Sequence, residues 1–331
     1  MASTCVKTLL VGLSGPSSSG KTTLARLLRS VFTLAVSDGS AITATRPFIL
    51  HEDDFYKSDD LIPVVTTSSG KAVQDWDTIG ALDIGLLEAA LVYVRDHGKL
   101  PAGLKSKEDL NDAADSGVHK RIVQSLRSEA TQRLRKVFDD AATTVDMPQT
   151  RHLALALVEG FLLYAPPDQP SHPLRLVHDI IHIPLFLPAT YTLLKERREK
   201  RTGYVTIGPA PTPSPQIEMT ANDVQSARYQ EEKDANEYTP PDVNFWTDPP
   251  GYVDDIVWPR YITDHAWLLL PQDTKPDIDV EQLKQLIGEG RNAREDVGVL
   301  VAPGQGEASM EELLHWAVDE VLKVAERLFT Q

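Results

Sequence analysis

Strand-length apolar runs alternate along the chain with stretches in which apolar residues return every three or four positions, so strands and helices are expected to take turns. Lys7 to Leu13 reads as a first strand, and Thr23 to Phe32 as a helix with Leu24, Leu27, Leu28 and Val31 on one face. The turn-like SDGSA segment separates that helix from a second strand, Pro47 to His51, which delivers Glu52, Asp53 and Asp54 at its end. Lys57 to Asp77 is polar and loop-like, and Ala81 to Tyr93 is helical with Leu82, Leu86, Ala89, Ala90 and Tyr93 on one side. Lys99 to His119 has no period and is a surface excursion, followed by a charged helix over Val118 to Asp140. Leu153 to Val158 is unbroken and apolar, as in a strand buried on both faces of a parallel sheet, and it ends in Glu159 and Gly160. Asp179 to Phe186 is expected as a fourth strand and His265 to Leu270 as a fifth, with Arg291 to Glu307 as loop. Between them lie a helix over Ala189 to Lys200, an extended connector over Pro209 to Pro215 and a polar, helix-compatible Gln216 to Glu237. A last amphipathic helix, Met310 to Phe329, carries Leu313, Leu314, Ala317, Val321, Val324, Ala325 and Leu328. This order predicts a doubly wound α/β architecture.

The turn between the first strand and the first helix narrows the chemistry. Its nine residues, Gly15, Pro16, Ser17, Ser18, Ser19, Gly20, Lys21, Thr22 and Thr23, fit G-x-x-x-x-G-K-[ST] with a strand entering and a helix leaving. Such a loop curls its N–H groups around phosphates, with a lysine for the outer phosphates and a threonine for Mg²⁺. The chain is therefore expected to bind a nucleoside triphosphate, and the reading is of a P-loop NTPase fold.

Composition removes other classes. With 331 residues, 41% hydrophobic and 24% charged, the chain is long and apolar enough for a folded core. A formal charge of −15 argues against a nucleic-acid surface, which needs clustered cations, and favours a small-molecule substrate. Cys5, the single cysteine, allows neither a disulfide nor a cysteine zinc site, and no apolar run has membrane-spanning length. A cytoplasmic protein is expected.

Phosphoryl transfer needs an acid near the acceptor hydroxyl, and Asp53 or Asp54 meets that need while helping to hold Mg²⁺. Glu159, at a strand end, is a second metal-side acid. The basic cluster Lys195, Arg197, Arg198, Lys200 and Arg201 suits a lid over the triphosphate, although cations also favour a helix C-terminus on their own account.

In order along the chain, GPSSSGKTT, HEDDFYK, QDWDTIGALD, LVEGFLLY, LKERREKRTGY and FWTDPPGYVD resemble the nicotinamide riboside kinases, the fungal form above all. The resemblance spans roughly Lys7 to Leu270. It implies a three-layer α/β/α fold with a five-stranded parallel sheet and a helical lid, and transfer of the γ-phosphoryl group of ATP to nicotinamide riboside with Mg²⁺. It also implies roles. Asp53 corresponds to the catalytic base, with Lys21 on the phosphates and Thr22, Asp53 and Glu159 at the metal. The segment Asp53, Asp54, Phe55 and Tyr56 lies on the acceptor side. Trp76 faces the nicotinamide, Asp77 and Arg198 hold the ribose, Tyr204 is the second ring of the base pocket, and Arg197 and Arg201 contact ATP. The whole chain, 1–331, is then one kinase domain with an insertion at 99–119, a lid carrying a Pro-rich insertion at 195–245 and a C-terminal helical extension at 271–331.

Two other families share parts of this pattern. Thr274, Lys275, Pro276 and Asp277 fit the T-K-x-D by which GTPases read guanine, but the third strand ends Glu159-Gly160 rather than D-x-x-G. A uridine or cytidine kinase would share the loop, the fold and the early acid. His178 and His182, four apart in the expected fourth strand, lack further ligands for a metal, and Trp258, Tyr261 and Trp267 are expected in the core.

Overall fold

In chain order the elements are β1 (Cys5–Ser14), α1 (Lys21–Phe32), β2 (Ile42–Ala44), β3 (Phe48–His51), β4 (Val64–Thr66), β5 (Ala72–Gln74), α2 (Ile84–His97), α3 (Lys120–Ala142), β6 (Arg151–Gly160), α4 (Arg175–Ile180), β7 (Ile183–Phe186), α5 (Tyr191–Glu199), β8 (Tyr204–Thr206), β9 (Asn244–Trp246), α6 (Trp258–Leu269), β10 (Leu300–Val301) and α7 (Met310–Thr330). They come from a computed structural model that describes residues 5–33, 42–44, 47–104, 106, 115–142, 151–201, 203–206, 244–270, 282, 285–287, 294 and 296–330. The expectations for SDGSA, Pro209 to Pro215, Gln216 to Glu237 and Thr274 to Asp277 fall outside these residues.

The main sheet runs β10-β7-β1-β6, with β2 and β3 following one another along the outer edge of β6, and every pairing in it is parallel. That makes five strand positions. Successive side chains of β1 point to opposite faces, and the sequence is apolar at both sets of positions. Leu9, Val11 and Leu13 pack with Leu24 and Leu28 of α1, Leu126 and Leu134 of α3, and Leu314 and Val321 of α7. Leu10 belongs to the opposite layer, with Leu87 and Leu91 of α2, Val177 of α4 and Tyr261 and Ile262 of α6. A parallel sheet covered on both faces needs such unbroken apolar strands, which is why Leu153 to Val158 was legible as one. Because all strands run the same way, their carboxyl ends share one edge, where α/β proteins bind ligands.

Several expectations give way. The fifth strand is Leu300–Val301, inside the segment expected as loop, and it pairs with Leu185 and Phe186 of β7. Two residues are too short to leave an apolar run. His265 to Leu270 lies almost wholly in α6 instead, whose buried Trp258, Tyr261, Ile262, His265, Leu268 and Leu269 recur every three or four positions. The six residues HAWLLL alone do not reveal that period. Trp258 and Tyr261 are in the core as expected, but on a helix, and Trp267 is half-buried.

The fourth strand is shorter than expected, because Arg175–Ile180 is a helix and only Ile183–Phe186 joins the sheet. His178 and His182 therefore share no strand face; His178 Nδ1 sits against the backbone of Ala165, and His182 Nδ1 accepts from the Leu10 N–H at 3.1 Å. In α2, Asp83 caps the N-terminus by accepting from Leu86 N, and Leu87, Ala90, Leu91 and Val94 are buried while Leu86 is 53% exposed. The buried stripe is rotated about one residue from the expected face. Lys57 to Asp77 contains the β4–β5 hairpin, and no helix among the described residues is long and apolar enough to cross a membrane.

Candidate active site

The loop from Gly15 to Gly20 joins β1 to α1 at the carboxyl edge of the sheet. Gly15 has φ 149°, and a Cβ there would overlap the carbonyl oxygen of Leu187, so only glycine lets the loop pass the end of β7. No side chain caps α1, and its first-turn N–H groups are left to serve an anion. Ser19 Oγ is buried without a partner beside them. Lys21 is only 8% exposed, and its Nζ donates to Pro16 O at 2.9 Å. Burial lowers its pKa, against the opposing pull of Glu159, Asp53 and Glu52, while Arg201 adds to the lowering.

Pairing of β3 with β6 sets His51 opposite Glu159 and so brings the acids to the loop. Glu159 Oε1 lies 2.6 Å from His51 Nδ1 and accepts from Thr22 Oγ1 at 3.1 Å. Burial pushes the Glu159 carboxyl up, but His51, Lys21 and Thr22 outweigh it and hold the pKa below the usual value. The next three acids diverge in role. Glu52 is fully buried, and its Oε2 accepts from Phe161 N at 2.7 Å and Leu162 N at 3.2 Å, tying the β3 loop to the β6 loop. Its pKa is raised well above normal by burial and then by Asp53. A Cβ at Gly160 would overlap this carboxyl, which accounts for the glycine after Glu159. Asp53 lines the cavity with Lys21; Phe55 is core, and Asp54 is not among the lining residues.

The other end of the cavity is aromatic and doubly acidic. Trp76 meets Tyr56 edge-on with centroids 5.4 Å apart and Trp246 at 5.7 Å, and Tyr56 stacks on Phe161. Asp77 accepts from Arg198 Nη1 at 3.1 Å and Nη2 at 3.2 Å. The same guanidinium donates from Nε to Asp248 Oδ2 at 2.7 Å and from Nη2 to Asp248 Oδ1 at 3.2 Å, and Trp246 Nε1 donates to that Oδ1 at 3.0 Å. Tyr204 lines the same cavity as Trp76 and Trp246. Arg201 lies 4.0 Å and Arg198 4.8 Å from the centre of its ring, and its hydroxyl is 3.3 Å from Ser17 Oγ. The rings in contact with Trp76 are those of Tyr56 and Trp246.

Apart from Asp248, these groups border one cavity of about 690 Å³, together with Arg197, whose Nη1 donates to Ser18 O. Trp246 and Asp248 were missed as site residues, although FWTDPPGYVD holds both. Two further walls left no signal. Asp115 and Ser116, from the segment read as a surface insertion, border the cavity, as do residues from Ala302 to Met310 beyond β10. The segment read as a C-terminal extension thus supplies a sheet strand, a core helix and part of the site.

The donor set fits Mg²⁺ and a triphosphate. Thr22 Oγ1 and Glu159 are already neighbours, and Asp53 acts on the same lysine, so hard oxygens gather beside the loop. Among the described residues no three His, Cys, Asp or Glu cluster closely enough to hold a metal alone.

No family model matches the chain. Whole-sequence similarity is more telling. The nicotinamide riboside kinase of Schizosaccharomyces pombe is 30% identical over 268 residues, which cover 81% of this chain and 83% of the relative. That of Saccharomyces cerevisiae is 26% identical over 321 residues, 97% of this chain and 98% of the relative. The Eremothecium gossypii protein of the same name is 25% identical over 279 residues, 84% and 85% of the two chains. Near-complete coverage of relatives with one name, on a sheet whose carboxyl edge carries a phosphate loop, means that the chain belongs to the nicotinamide riboside kinase family.

Proposed function

We propose that the protein transfers the γ-phosphoryl group of ATP to the 5′-hydroxyl of nicotinamide riboside, giving the mononucleotide. The observation that carries this reading is the single cavity, with a phosphate loop and cationic lid residues at one end and aromatic rings with a carboxylate-guanidinium pair at the other. Transfer requires both substrates in one water-poor space with the hydroxyl aimed at phosphorus.

Lys21, Arg197 and Arg201 neutralise the phosphates, and the first turn of α1 adds its N–H groups. Thr22, Asp53 and Glu159 would hold Mg²⁺, which supplies further charge neutralisation on the phosphate oxygens. Asp53 takes the proton of the 5′-hydroxyl as the oxygen bonds to the γ-phosphorus and the bond to the β-phosphate oxygen breaks, with ADP leaving. Ribose hydroxyls donate to Asp77 and accept from Arg198. The pyridinium packs on the wall formed by Tyr56, Trp76 and Trp246, whose ring faces attract a cation by about 0.5–2 kcal/mol. An uncharged pyrimidine gains nothing from that attraction, which is why the uridine kinase reading is the weaker one. The adenosine end lies along Arg26, Asp115, Ser116 and the loop after β10. The tip of α5 and the β8–β9 pair act as the lid, in a cytoplasmic enzyme.

A phosphorylation assay with ATP and Mg²⁺ across nicotinamide riboside, nicotinic acid riboside, uridine and cytidine tests the proposal. Nicotinamide riboside is expected to have a kcat/KM at least tenfold above that of uridine, by roughly the upper cation–aromatic contribution. A higher kcat/KM for uridine contradicts it.

A further inference from the structure

Tyr204 touches both halves of the site without belonging wholly to either. Arg198, 4.8 Å from the centre of its ring, is held by the buried Asp77 and the half-buried Asp248 at the acceptor end. Arg201, whose guanidinium lies 4.0 Å from the centre of the same ring, lines the cavity with Lys21 and Arg197 at the phosphate end. The hydroxyl reaches Ser17 in the phosphate loop at 3.3 Å. The ring is thus in contact with both guanidiniums, with its polar tip on the phosphate loop.

Such contacts have a consequence for binding. A guanidinium settles over an aromatic face only in a limited range of positions, and each of these two also has a ligand to serve. Moving Arg198 onto a ribose shifts the ring, and the ring shifts Arg201 and the Ser17 contact. Backbone pairing adds to this, because Tyr204 stands opposite Trp246 in the β8–β9 pair, so the ring and one member of the aromatic wall share a two-stranded element. Two sites joined through one shared element bias each other's occupancy by the same factor in both directions.

We propose that Tyr204 is a positioning residue that couples the two substrates, so that riboside binding strengthens donor binding and the reverse. The inference rests on the riboside kinase reading of the site and differs from a direct stacking role for this ring on the nicotinamide.

Calorimetric titration of the full chain tests it. Nicotinamide riboside is titrated with and without a saturating non-hydrolysable ATP analogue and Mg²⁺, and the ratio of the two Kd values is the coupling factor. In the unaltered protein the factor is expected to be roughly fivefold or more, within the range of ordinary coupling between sites. Tyr204→Leu, which removes the ring contacts and the hydroxyl, is expected to bring it to about one, however each separate Kd moves. Tyr204→Phe keeps the ring contacts and loses only the Ser17 contact, and its factor is expected between the two. A factor of about one in the unaltered protein overturns the coupling. So does a Leu variant that binds the riboside more weakly by the same ratio with and without the analogue, the signature of a ring that only stacks on the base. No riboside binding by the unaltered protein overturns the functional reading itself, and the coupling falls with it.

Discussion

Arg198 is buried, yet its charge is matched twice over. A lone buried cation would cost several kcal/mol, and the two carboxylates with their planar hydrogen bonds remove most of that cost. The arrangement is strict about shape, since only a planar fork serves Asp77 and Asp248 at once. Arg198→Lys keeps the charge and loses the fork, and it also loses the guanidinium's contact with the Tyr204 ring. The expected outcome in steady-state kinetics is a KM for the riboside raised roughly tenfold or more, from the loss of one or two charge-assisted hydrogen bonds. An unchanged riboside KM would show that this guanidinium does not serve the acceptor. Asp77 itself is pushed up in pKa by burial and pulled down by Arg198, with Asp248 pushing it up again. Removing the arginine therefore also weakens the hold on the ribose hydroxyls.

Among the elements, α6 shows how packing fixes the ionisation of a buried side chain. His265 lies between the rings of Phe186 and Tyr261, and burial pushes its pKa down to about 4, only partly opposed by the backbone carbonyls of Tyr261 and Phe161. The unfolded chain binds a proton at this position near pH 6.5 and the folded one only near 4. The stability held above pH 6.5 is therefore lost progressively as the pH falls between those values, by on the order of 3 kcal/mol. Melting temperatures between pH 7.5 and 4.5 check this. Those of the unaltered protein are expected to fall more steeply than those of His265→Gln, and parallel profiles would contradict it. The same helix marks a limit of legibility. β1, α1, β3 and β6 were readable because long runs and a motif with fixed spacing identify them, and these elements carry Lys21, Thr22 and Glu159, with Asp53 just past the end of β3. The strand β10 has only Leu300 and Val301 to announce it, and α6 was split by reading its last turn as a strand. Local pattern fails where an element is shorter than its own period or where tertiary contacts choose between two patterns.

The whole molecule is a sheet whose carboxyl edge is walled by segments far apart in the chain. Its net charge of −15 contrasts with the arginines and lysines that face the cavity, so the cations are concentrated where phosphates are to be held. The phosphate end was readable because one contiguous motif builds it. Only part of the acceptor end was: Trp76, Asp77 and Arg198 were reached through resemblance, whereas Trp246 and Asp248 join them only once β8 and β9 pair across the intervening sequence. Asp115, Ser116 and the Ala302 to Met310 wall depend on folding over long separations, which no local pattern records. The account stands on the convergence of loop, acid and aromatic wall upon one hydroxyl. Its most direct test is a crystal structure of the full chain with Mg²⁺, a non-hydrolysable ATP analogue and nicotinamide riboside. The 5′-oxygen is expected about 3 Å from the Asp53 carboxylate, in line with the γ-phosphorus, with the ribose on Asp77 and Arg198. A riboside bound outside this cavity, or Asp53 turned away with Asp54 on the hydroxyl, would contradict it.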